Sequence, residues 1–250
     1  MKKIAYLCLI TALFASGCSQ ETQQQETKPK MDHHPEKQAD HQHGAEHGGH
    51  HHDKNKSNAF MNKMSFDELV ARFDNPERDD WQKPEEVIAG LGDLTGKTVM
   101  DIGAGTGYFS FRLAAHGANV IAADVDERFQ EYIEAEIEKR GVDNVSTRLV
   151  PFDGPKLENE EADIALIVDT YHHLENRPAY LKKVLAGLKP GGRFVVVDFK
   201  KEESPFGPPA SHRIMATTVK EELEKAGFMV DNSDDKTLLY QYILTGKKQE

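Results

Sequence analysis

Residues 99–109 read VMDIGAGTGYF, and this stretch decides the fold. Its first four residues complete a predicted strand, and a turn with glycines at 103, 105 and 107 leads directly into a predicted helix. Glycine lets the backbone of such a turn approach a ligand closely, and the helix that follows offers free N–H groups. The stretch therefore predicts a ligand site where a strand meets a helix.

The chain around this stretch alternates strands with helices. We expect strands over 98–102, 119–124, 145–150, 163–169, 193–199, 228–232 and 238–245. We expect helices over 65–73, 84–92, 108–116, 127–140, 177–188 and 217–226, with a loop over 74–81. Such alternation is typical of an α/β, Rossmann-like, doubly wound and mostly parallel sheet of seven strands. The short turn at 233–236 predicts an antiparallel C-terminal hairpin at one edge.

Two acidic residues accompany the glycine-rich turn. Asp101 precedes the turn, and Asp124 ends the next predicted strand. A carboxylate at that strand end can accept hydrogen bonds from both hydroxyls of a ribose. The spacing GxGxG differs from the dinucleotide fingerprint GxGxxG, and the lysine of a nucleotide-phosphate loop is absent. The glycines alone would also suit a plain tight turn.

Taken with these acids, the stretch resembles motif I of class I S-adenosylmethionine methyltransferases, D/E-x-G-x-G-x-G. The resemblance covers roughly 80–250 and includes Asp169 at the end of the fourth strand and the turn 188–192. It implies S-adenosylmethionine as cofactor, with Asp101 near its amino group, Asp124 on its ribose and Phe152-Asp153 near its adenine. The implied cofactor residues are Asp101, Gly103, Ala104, Gly105, Asp124, Val125, Phe152, Asp153 and Asp169.

Two histidines, one tryptophan and one arginine are candidates for roles beyond cofactor binding. His172 and His173 follow the fourth strand, where either could deprotonate a hydroxyl near neutral pH, or simply pack in a loop. Trp81, the only tryptophan, lies in an N-terminal helical segment over 58–92 that could form a lid or pack on the domain. Arg213 follows a proline-rich loop and could bind an anionic acceptor or be solvated.

The net charge of the chain limits the class of methyl acceptor that we expect. The net charge of −11 falls wholly on residues 58–250, because residues 1–57 hold seven Lys and seven Asp/Glu. An acidic domain disfavours DNA and RNA, whose binding depends on basic contacts. We therefore expect a small-molecule acceptor and no nucleic acid. The alternative is a non-catalytic ligand-binding or metal-handling lipoprotein on the same fold.

The first 57 residues resemble a lipoprotein leader and its tether. Lys2 and Lys3 precede an apolar run, and small residues lead into Cys18. The resemblance implies a signal peptide over 1–17, lipidation of Cys18 and anchoring in the cell envelope, on the outer membrane facing the periplasm in a Gram-negative source. An ordinary secretory signal with an incidental cysteine is the alternative. Residues 18–57 are expected to be a disordered tether.

The tether is rich in histidine. Its imidazoles could capture a transition metal weakly, or they could belong to a solvated, pH-sensitive linker. The histidines are His33, His34, His41, His43, His47, His50, His51 and His52.

Overall fold

A computed structural model describes residues 63–250, and the leader, the tether and its histidines lie outside the described residues. The strands are β1 (Thr98–Ile102), β2 (Asn119–Asp124), β3 (Val145–Leu149), β4 (Ala162–Val168), β5 (Leu188–Phe199), β6 (Met229–Asp234) and β7 (Gln241–Lys247). The helices are α1 (Phe66–Phe73), α2 (Arg78–Gln82), α3 (Pro84–Gly90), α4 (Ser110–Ala115), α5 (Glu127–Arg140), α6 (Arg177–Gly187) and α7 (Ala216–Ala226).

The seven strands form one sheet in the order β3-β2-β1-β4-β5-β7-β6. Strands β1 to β5 are mutually parallel, and β7 runs antiparallel to both β5 and β6. The α/β class, the seven strands and the antiparallel C-terminal pair are confirmed. Because β1, β2, β4 and β5 run parallel, their carboxyl ends lie along the same edge of the sheet. Ligands bind at this edge in open α/β sheets.

Both faces of the sheet are covered by apolar side chains from helices. On one face Ile88, Leu113 and Ile133 pack in a cluster with buried residues of β1 and β2. On the other face Leu181 and Leu223 pack in a second cluster with residues of β4 and β5. This double burial explains why β4 and β5 read as nearly continuous apolar runs. Among residues 63–250, no helix has the length and hydropathy to cross a membrane.

The N-terminal helices differ in how they begin. The capping box predicted at the start of α1 is present, because the Ser65 hydroxyl accepts from the Glu68 N–H and the Glu68 carboxylate accepts from the Ser65 N–H. The predicted loop over 74–81 is wrong in part, because residues 78–82 form α2. Helix α2 has no side-chain cap, so its stability comes from contacts with the rest of the fold.

Several predicted boundaries also shift. Helix α4 begins at Ser110 and not at residue 108. Strand β5 begins at Leu188, so the predicted turn over 188–192 lies within the strand, where the pairing with β4 has a register shift. The link between the last two strands spans 235–240 and is longer than the four-residue turn that the sequence suggested. None of these shifts changes the topology.

Candidate functional site

A cavity of about 860 Å³ lies at the carboxyl ends of β1, β2, β4 and β5. Its walls come from the loops after these strands, from α1 and α2, and from the proline-rich loop after β5. The sequence-predicted residues that line it are Asp101, Gly103, Ala104, Gly105, Asp124, Val125, Phe152, Asp169, His172 and His173. Among the cofactor residues implied by the resemblance, Asp153 is absent from this lining. The cavity is near the upper end of the range of about 300–1,000 Å³ for ligand sites.

The glycine-rich turn forms a narrow cradle in the floor of this cavity. Gly103 has φ +75°, and a Cβ added there would lie 2.4 Å from the hydroxyl oxygen of Thr170. The N–H groups of Gly103 and Ala104 both donate to the carbonyl of Ala123, which holds the turn against the end of β2. A side chain at position 103 would therefore displace Thr170 and fill the cradle.

Asp101 lies in β1 beneath the cradle. Its carboxylate is buried and accepts a hydrogen bond of 2.7 Å from the Ser110 hydroxyl at the start of α4. Burial raises the pKa of Asp101 to about 6, although the Ser110 hydrogen bond and the Arg78 charge oppose the rise. A cationic ligand group would stabilise the ionised form of this carboxylate.

Asp124 ends β2 and faces the same cradle. One carboxylate oxygen accepts from the N–H of Gly105 at 2.9 Å and the other from the N–H of Asp126 at 3.0 Å. Burial raises the pKa of Asp124, and these two backbone hydrogen bonds limit the rise. Because each carboxylate oxygen has a further lone pair, the group can also accept from two ligand hydroxyls.

Phe152 and Asp153, in the loop after β3, lie in different surroundings. Phe152 lines the cavity mouth with 60% of its surface exposed. Asp153 instead points to α6, where Lys183 donates to its carboxylate at 2.9 Å and to its carbonyl at 2.7 Å. That ion pair lowers the pKa of Asp153 and holds the side chain away from the lining. The structure therefore favours Phe152 over Asp153 as a ligand contact.

Asp169 follows β4 in the left-handed region, with φ +53°. It accepts a hydrogen bond from the Gln241 amide, and the guanidinium of Arg78 lies 3.6 Å from its other oxygen. Burial raises the pKa of Asp169 to about 7 against the opposing charge of Arg78. Arg78 also lies 4.0 Å from the ring centre of Tyr108, so it joins α2 to the end of β4 and to the cradle.

His172 and His173 lie in a short 3₁₀ helix, Tyr171–His173, directly after Asp169 and Thr170. His172 is held by Asp198 of β5, which accepts from the His172 backbone N–H at 3.1 Å and contacts its Nδ1 at 2.9 Å. Burial alone would lower the pKa of His172, but the Asp198 carboxylate outweighs it and the pKa lies above its ordinary value. Asp198 is fully buried, and the sequence analysis missed it.

The pKa of His173 is shifted in the opposite direction from that of His172. Its ring centre lies 4.3 Å from that of His172. Burial, and then the neighbouring charge of His172, lower the pKa of His173 to about 3. At neutral pH His173 is therefore an uncharged and very weak base.

A family model described as a methyltransferase domain matches residues 93–244. The chain belongs to this methyltransferase family. A methyltransferase from Aquifex aeolicus, described as SAM dependent, has a solved structure that superposes with a TM-score of 0.69 at 26% identity, covering 74% of this chain and 98% of that one.

Curated relatives of this methyltransferase domain have different acceptors in their names. A tRNA U34 carboxymethyltransferase from Klebsiella pneumoniae is 32% identical over 126 residues, which is 50% of this chain and 37% of the relative. A demethylmenaquinone methyltransferase from Lactococcus lactis is 26% identical over 152 residues, which is 56% of each chain. This chain thus spans about a third to just over half of the length of these relatives.

The cradle of this methyltransferase fits the cofactor that the fold family implies. A turn that admits no Cβ at Gly103, together with two buried carboxylates that have accepting capacity to spare, suits a flat nucleoside with ribose hydroxyls and an amino group. The residues that could hold S-adenosylmethionine are thus Asp101, Gly103, Gly105 and Asp124 at the floor, with Phe152 at the mouth.

The N-terminal helices close the methyltransferase cavity from above. Leu69, Phe73 and Arg78 line it, and Phe73 packs on Phe129 of α5 with ring centres 5.5 Å apart. Trp81 lines the cavity too, and it also packs on the proline-rich loop through Phe206. Trp81 therefore packs its helix, α2, against the loop after β5, and it lies at the cavity beside that loop.

Arg213 has neither of the two roles that the sequence suggested. It is buried, and its guanidinium donates to the carbonyls of Lys200, Glu202, Phe206 and Pro208. These bonds satisfy donors that an anionic acceptor would need, so Arg213 fixes the loop and does not face a ligand. His212, its neighbour, lines the cavity.

Within residues 63–250, no group of three or more His, Cys, Asp or Glu side chains is arranged to hold a metal ion.

Proposed function

We propose that this chain is an S-adenosylmethionine-dependent methyltransferase that acts on a small-molecule acceptor. One observation supports this proposal above the others. A single cavity joins a glycine cradle with two buried carboxylates, at the ends of β1 and β2, to an ion-paired histidine beyond β4. The cradle and its two carboxylates suit a cofactor, and the histidine suits proton removal from an acceptor.

In this proposal each polar group of the cofactor has its own partner in the cavity. Asp124 accepts from the ribose hydroxyls, and Asp101 accepts from the amino group of the methionine portion. Arg78, which lies on α2 above Asp169, is placed to bind the carboxylate of that portion. Val125 and Phe152 supply apolar surface for the adenine.

When bound, the cofactor supplies a methyl group on a sulfonium sulfur, and the acceptor atom bonds to that carbon as the sulfur–carbon bond breaks and leaves its electron pair on sulfur. The protein has to orient the acceptor, exclude water and, for a hydroxyl acceptor, remove a proton. Of the two predicted bases, His172 suits proton removal because Asp198 raises its pKa, whereas the pKa of His173 is far too low.

Charge supports a small molecule as the acceptor. Residues 58–250 hold 24 Lys and Arg against 35 Asp and Glu. Binding of a nucleic-acid backbone would need a basic surface on this acidic domain. The cavity is also bordered by α1, α2 and the loop after β5, and its volume suits an acceptor that enters whole.

A radiolabelled methyl group tests this proposal directly. The purified full chain is incubated with methyl-labelled cofactor and, separately, with tRNA, with mixed protein and with a solvent extract of small metabolites. We expect label in the metabolite extract, and none when Asp124→Ala replaces the wild-type chain. Label in tRNA alone would replace the small-molecule acceptor, and cofactor binding without label in any fraction would favour the non-catalytic alternative.

We also propose that the chain is anchored to the cell envelope through lipidated Cys18. The support is the order of a basic start, an apolar run and small residues before Cys18. The His-rich tether would then join the membrane to the methyltransferase domain. The cofactor is made in the cytosol. An exported domain therefore needs a supply of it outside the cytosol.

A further inference from the structure

We propose that the methyl acceptor is an aromatic hydroxyl compound, bound with its ring against Trp81 and Phe206 and its hydroxyl toward His172. This inference rests on the proposed function and adds the chemical class of the acceptor. It rests also on five features of the cavity: its division into two halves, its aromatic wall, the rigidity of that wall, the scarcity of positive charge beside it and the basicity of His172.

The cavity divides along the sheet. The glycine cradle and Asp124 lie over the ends of β1 and β2, whereas His172 and Phe199 lie over the ends of β4 and β5. Strands are about 4.8 Å apart, so the end of β2 and the end of β5 are separated by roughly 14 Å. That span leaves the half over β4 and β5 for the acceptor when a cofactor occupies the other half.

The acceptor half has an aromatic wall, which we define as Trp81, Phe199 and Phe206. Trp81 and Phe206 stack with ring centres 4.9 Å apart and an angle of 13° between their planes. Phe199 lies 5.6 Å from Trp81 and directly follows Asp198, which holds His172. The wall is therefore beside the candidate base, and its rings favour stacked or edge-on contact with another ring.

The wall is held in place before any ligand binds. Arg213 donates to four carbonyls of the loop that carries Phe206, and Phe206 contacts Tyr240 edge-on at 5.5 Å. Gly207 has φ +80°, and a Cβ there would lie 2.6 Å from the Phe199 ring. A rigid apolar wall suits a rigid flat ligand, because little ordering is needed on binding.

The acceptor half is poor in positive charge. Its described lining is Trp81, His172, His173, Phe199, Pro205, Phe206, Gly207, Pro208, Pro209 and His212. Arg78 also lines the cavity near the end of β4, but its charge faces Asp169 at 3.6 Å. Lys and other Arg side chains are absent from this set, and His173 is uncharged at neutral pH because its pKa is about 3. These residues favour an aromatic ring without a carboxylate or phosphate on the side that meets the wall.

The base favours a phenolic over an aliphatic hydroxyl. A phenol has a pKa of about 10, as in tyrosine, whereas the pKa of water, a guide for alcohols, is about 15.7. Asp198 brings the pKa of His172 closer to that of a phenol. The phenolic proton then passes to His172 as the oxygen takes the methyl group, so the sulfonium loses its positive charge and His172 gains one.

Binding of simple ring compounds tests the inference without need of the natural acceptor. The full chain is saturated with S-adenosylhomocysteine, which cannot react, and titrated by calorimetry with catechol and naphthol and with their saturated counterparts cyclohexane-1,2-diol and decalinol. Trp81 is the only tryptophan, so its fluorescence reports the same binding independently. We expect the aromatic probes to bind about tenfold more tightly than their saturated partners and to quench Trp81.

Two variants distinguish an effect of the aromatic wall on binding from an effect on the overall fold. Phe206→Leu keeps the apolar volume but removes the ring, and we expect it to weaken binding of the aromatic probes about tenfold and to leave the saturated ones unchanged. Leu239→Ala, at a side chain that is 70% exposed, is the control and should change neither.

If S-adenosylhomocysteine binds, three outcomes would each overturn the inference. They are equal affinity for aromatic and saturated probes, absence of probe binding, and an unchanged preference for aromatic probes in Phe206→Leu. Absence of S-adenosylhomocysteine binding would overturn the proposed function, and the inference with it.

Discussion

Asp124 and Asp198 are both buried carboxylates in strands, and their neighbours give them different roles. Asp124 accepts from backbone N–H groups of the glycine turn and of the loop after β2. Asp198 accepts from the backbone of His172 and contacts its ring. The first can hold a ligand, whereas the second acts through His172 and is a positioning residue.

Replacement of Asp198 by Asn should shift the titration of His172. A general base works in its neutral form, so methyl transfer to a hydroxyl should rise as pH rises through the His172 pKa. That pKa is above its ordinary value because of Asp198, and Asp198→Asn removes the charge and should move it lower. The NMR shifts of the His172 ring protons, followed over pH, measure this directly.

Asp153→Asn is the control for that experiment, because Asp153 is an exposed carboxylate that pairs with Lys183. It should leave the His172 titration unchanged. In Asp198→Asn, methyl transfer should also fall by about a hundredfold, since the neutral amide no longer fixes the His172 tautomer or stabilises its protonated form. An unchanged His172 titration in Asp198→Asn would show that Asp198 does not set its basicity.

Two buried glutamines should respond in opposite directions to the same substitution. Gln82 donates from its amide to Gln241 at 2.7 Å, so Gln82→Leu leaves the Gln241 oxygen without that donor and should cost about 1–3 kcal/mol of unfolding free energy. The Gln130 amide has no hydrogen-bond partner among the described residues. Gln130→Leu should be neutral or stabilising by up to about 2 kcal/mol.

Urea denaturation of the two glutamine variants beside the wild-type chain measures both changes. Equal destabilisation by both would mean that the buried bond between Gln82 and Gln241 adds nothing specific to the stability of the fold.

The cradle residues could be predicted because they lie within one motif, whereas the acceptor half could not. Asp101, Gly103 and Gly105 are neighbours in sequence, and Asp124 ends the next strand. Asp198 ends an apolar run of β5, where a lone acid gives no sign of its partner 26 residues away. Arg213 likewise gave no sign of binding four carbonyls, because such bonds depend on the folded path of the loop.

At the scale of secondary structure, α2 is the element that sequence reasoning missed. Its five residues, RDDWQ, contain one apolar side chain and lack a side-chain cap. Tertiary contacts hold it instead: Arg78 to Asp169, Gln82 to Gln241 and Trp81 to Phe206. Helices stabilised in this way carry no recognisable sequence pattern, whereas β1, β2 and β4 stand out as short apolar runs.

The proline-rich loop after β5 should depend on glycine at position 207. Gly207→Ala places a Cβ 2.6 Å from the Phe199 ring, so it should cost about 1–3 kcal/mol beyond the strain of a positive φ and weaken binding in the acceptor half. Thermal unfolding and the binding of catechol measure the two effects.

Gly92→Ala is a matched control, because Gly92 has φ +76° but open space around its Cβ position. It should show the backbone strain alone, about 1–2 kcal/mol. Equal loss of stability in the two alanine variants would mean that contact with Phe199 does not shape the loop.

At the scale of the whole molecule, the proposed lipoprotein leader predicts that the methyltransferase domain lies at the cell envelope. In a bacterial host that processes lipoproteins, the wild-type chain should incorporate radiolabelled palmitate and sediment with membranes. Cys18→Ser should abolish both, because it removes the lipidated sulfur. Cys8→Ser, within the leader, should keep both, and labelling of Cys18→Ser would contradict lipidation at Cys18.

The cofactor site is tested most directly by calorimetric titration of the full chain with S-adenosylmethionine. We expect a dissociation constant on the order of micromolar for the wild-type chain and about a hundredfold weaker binding for Asp124→Asn, which loses two charge-assisted hydrogen bonds to the ribose. Asp126→Asn, two residues away and still able to cap α5, should bind as the wild type does. Absence of binding to the wild-type chain, or equal binding to Asp124→Asn, would contradict the assignment of the glycine cradle to S-adenosylmethionine.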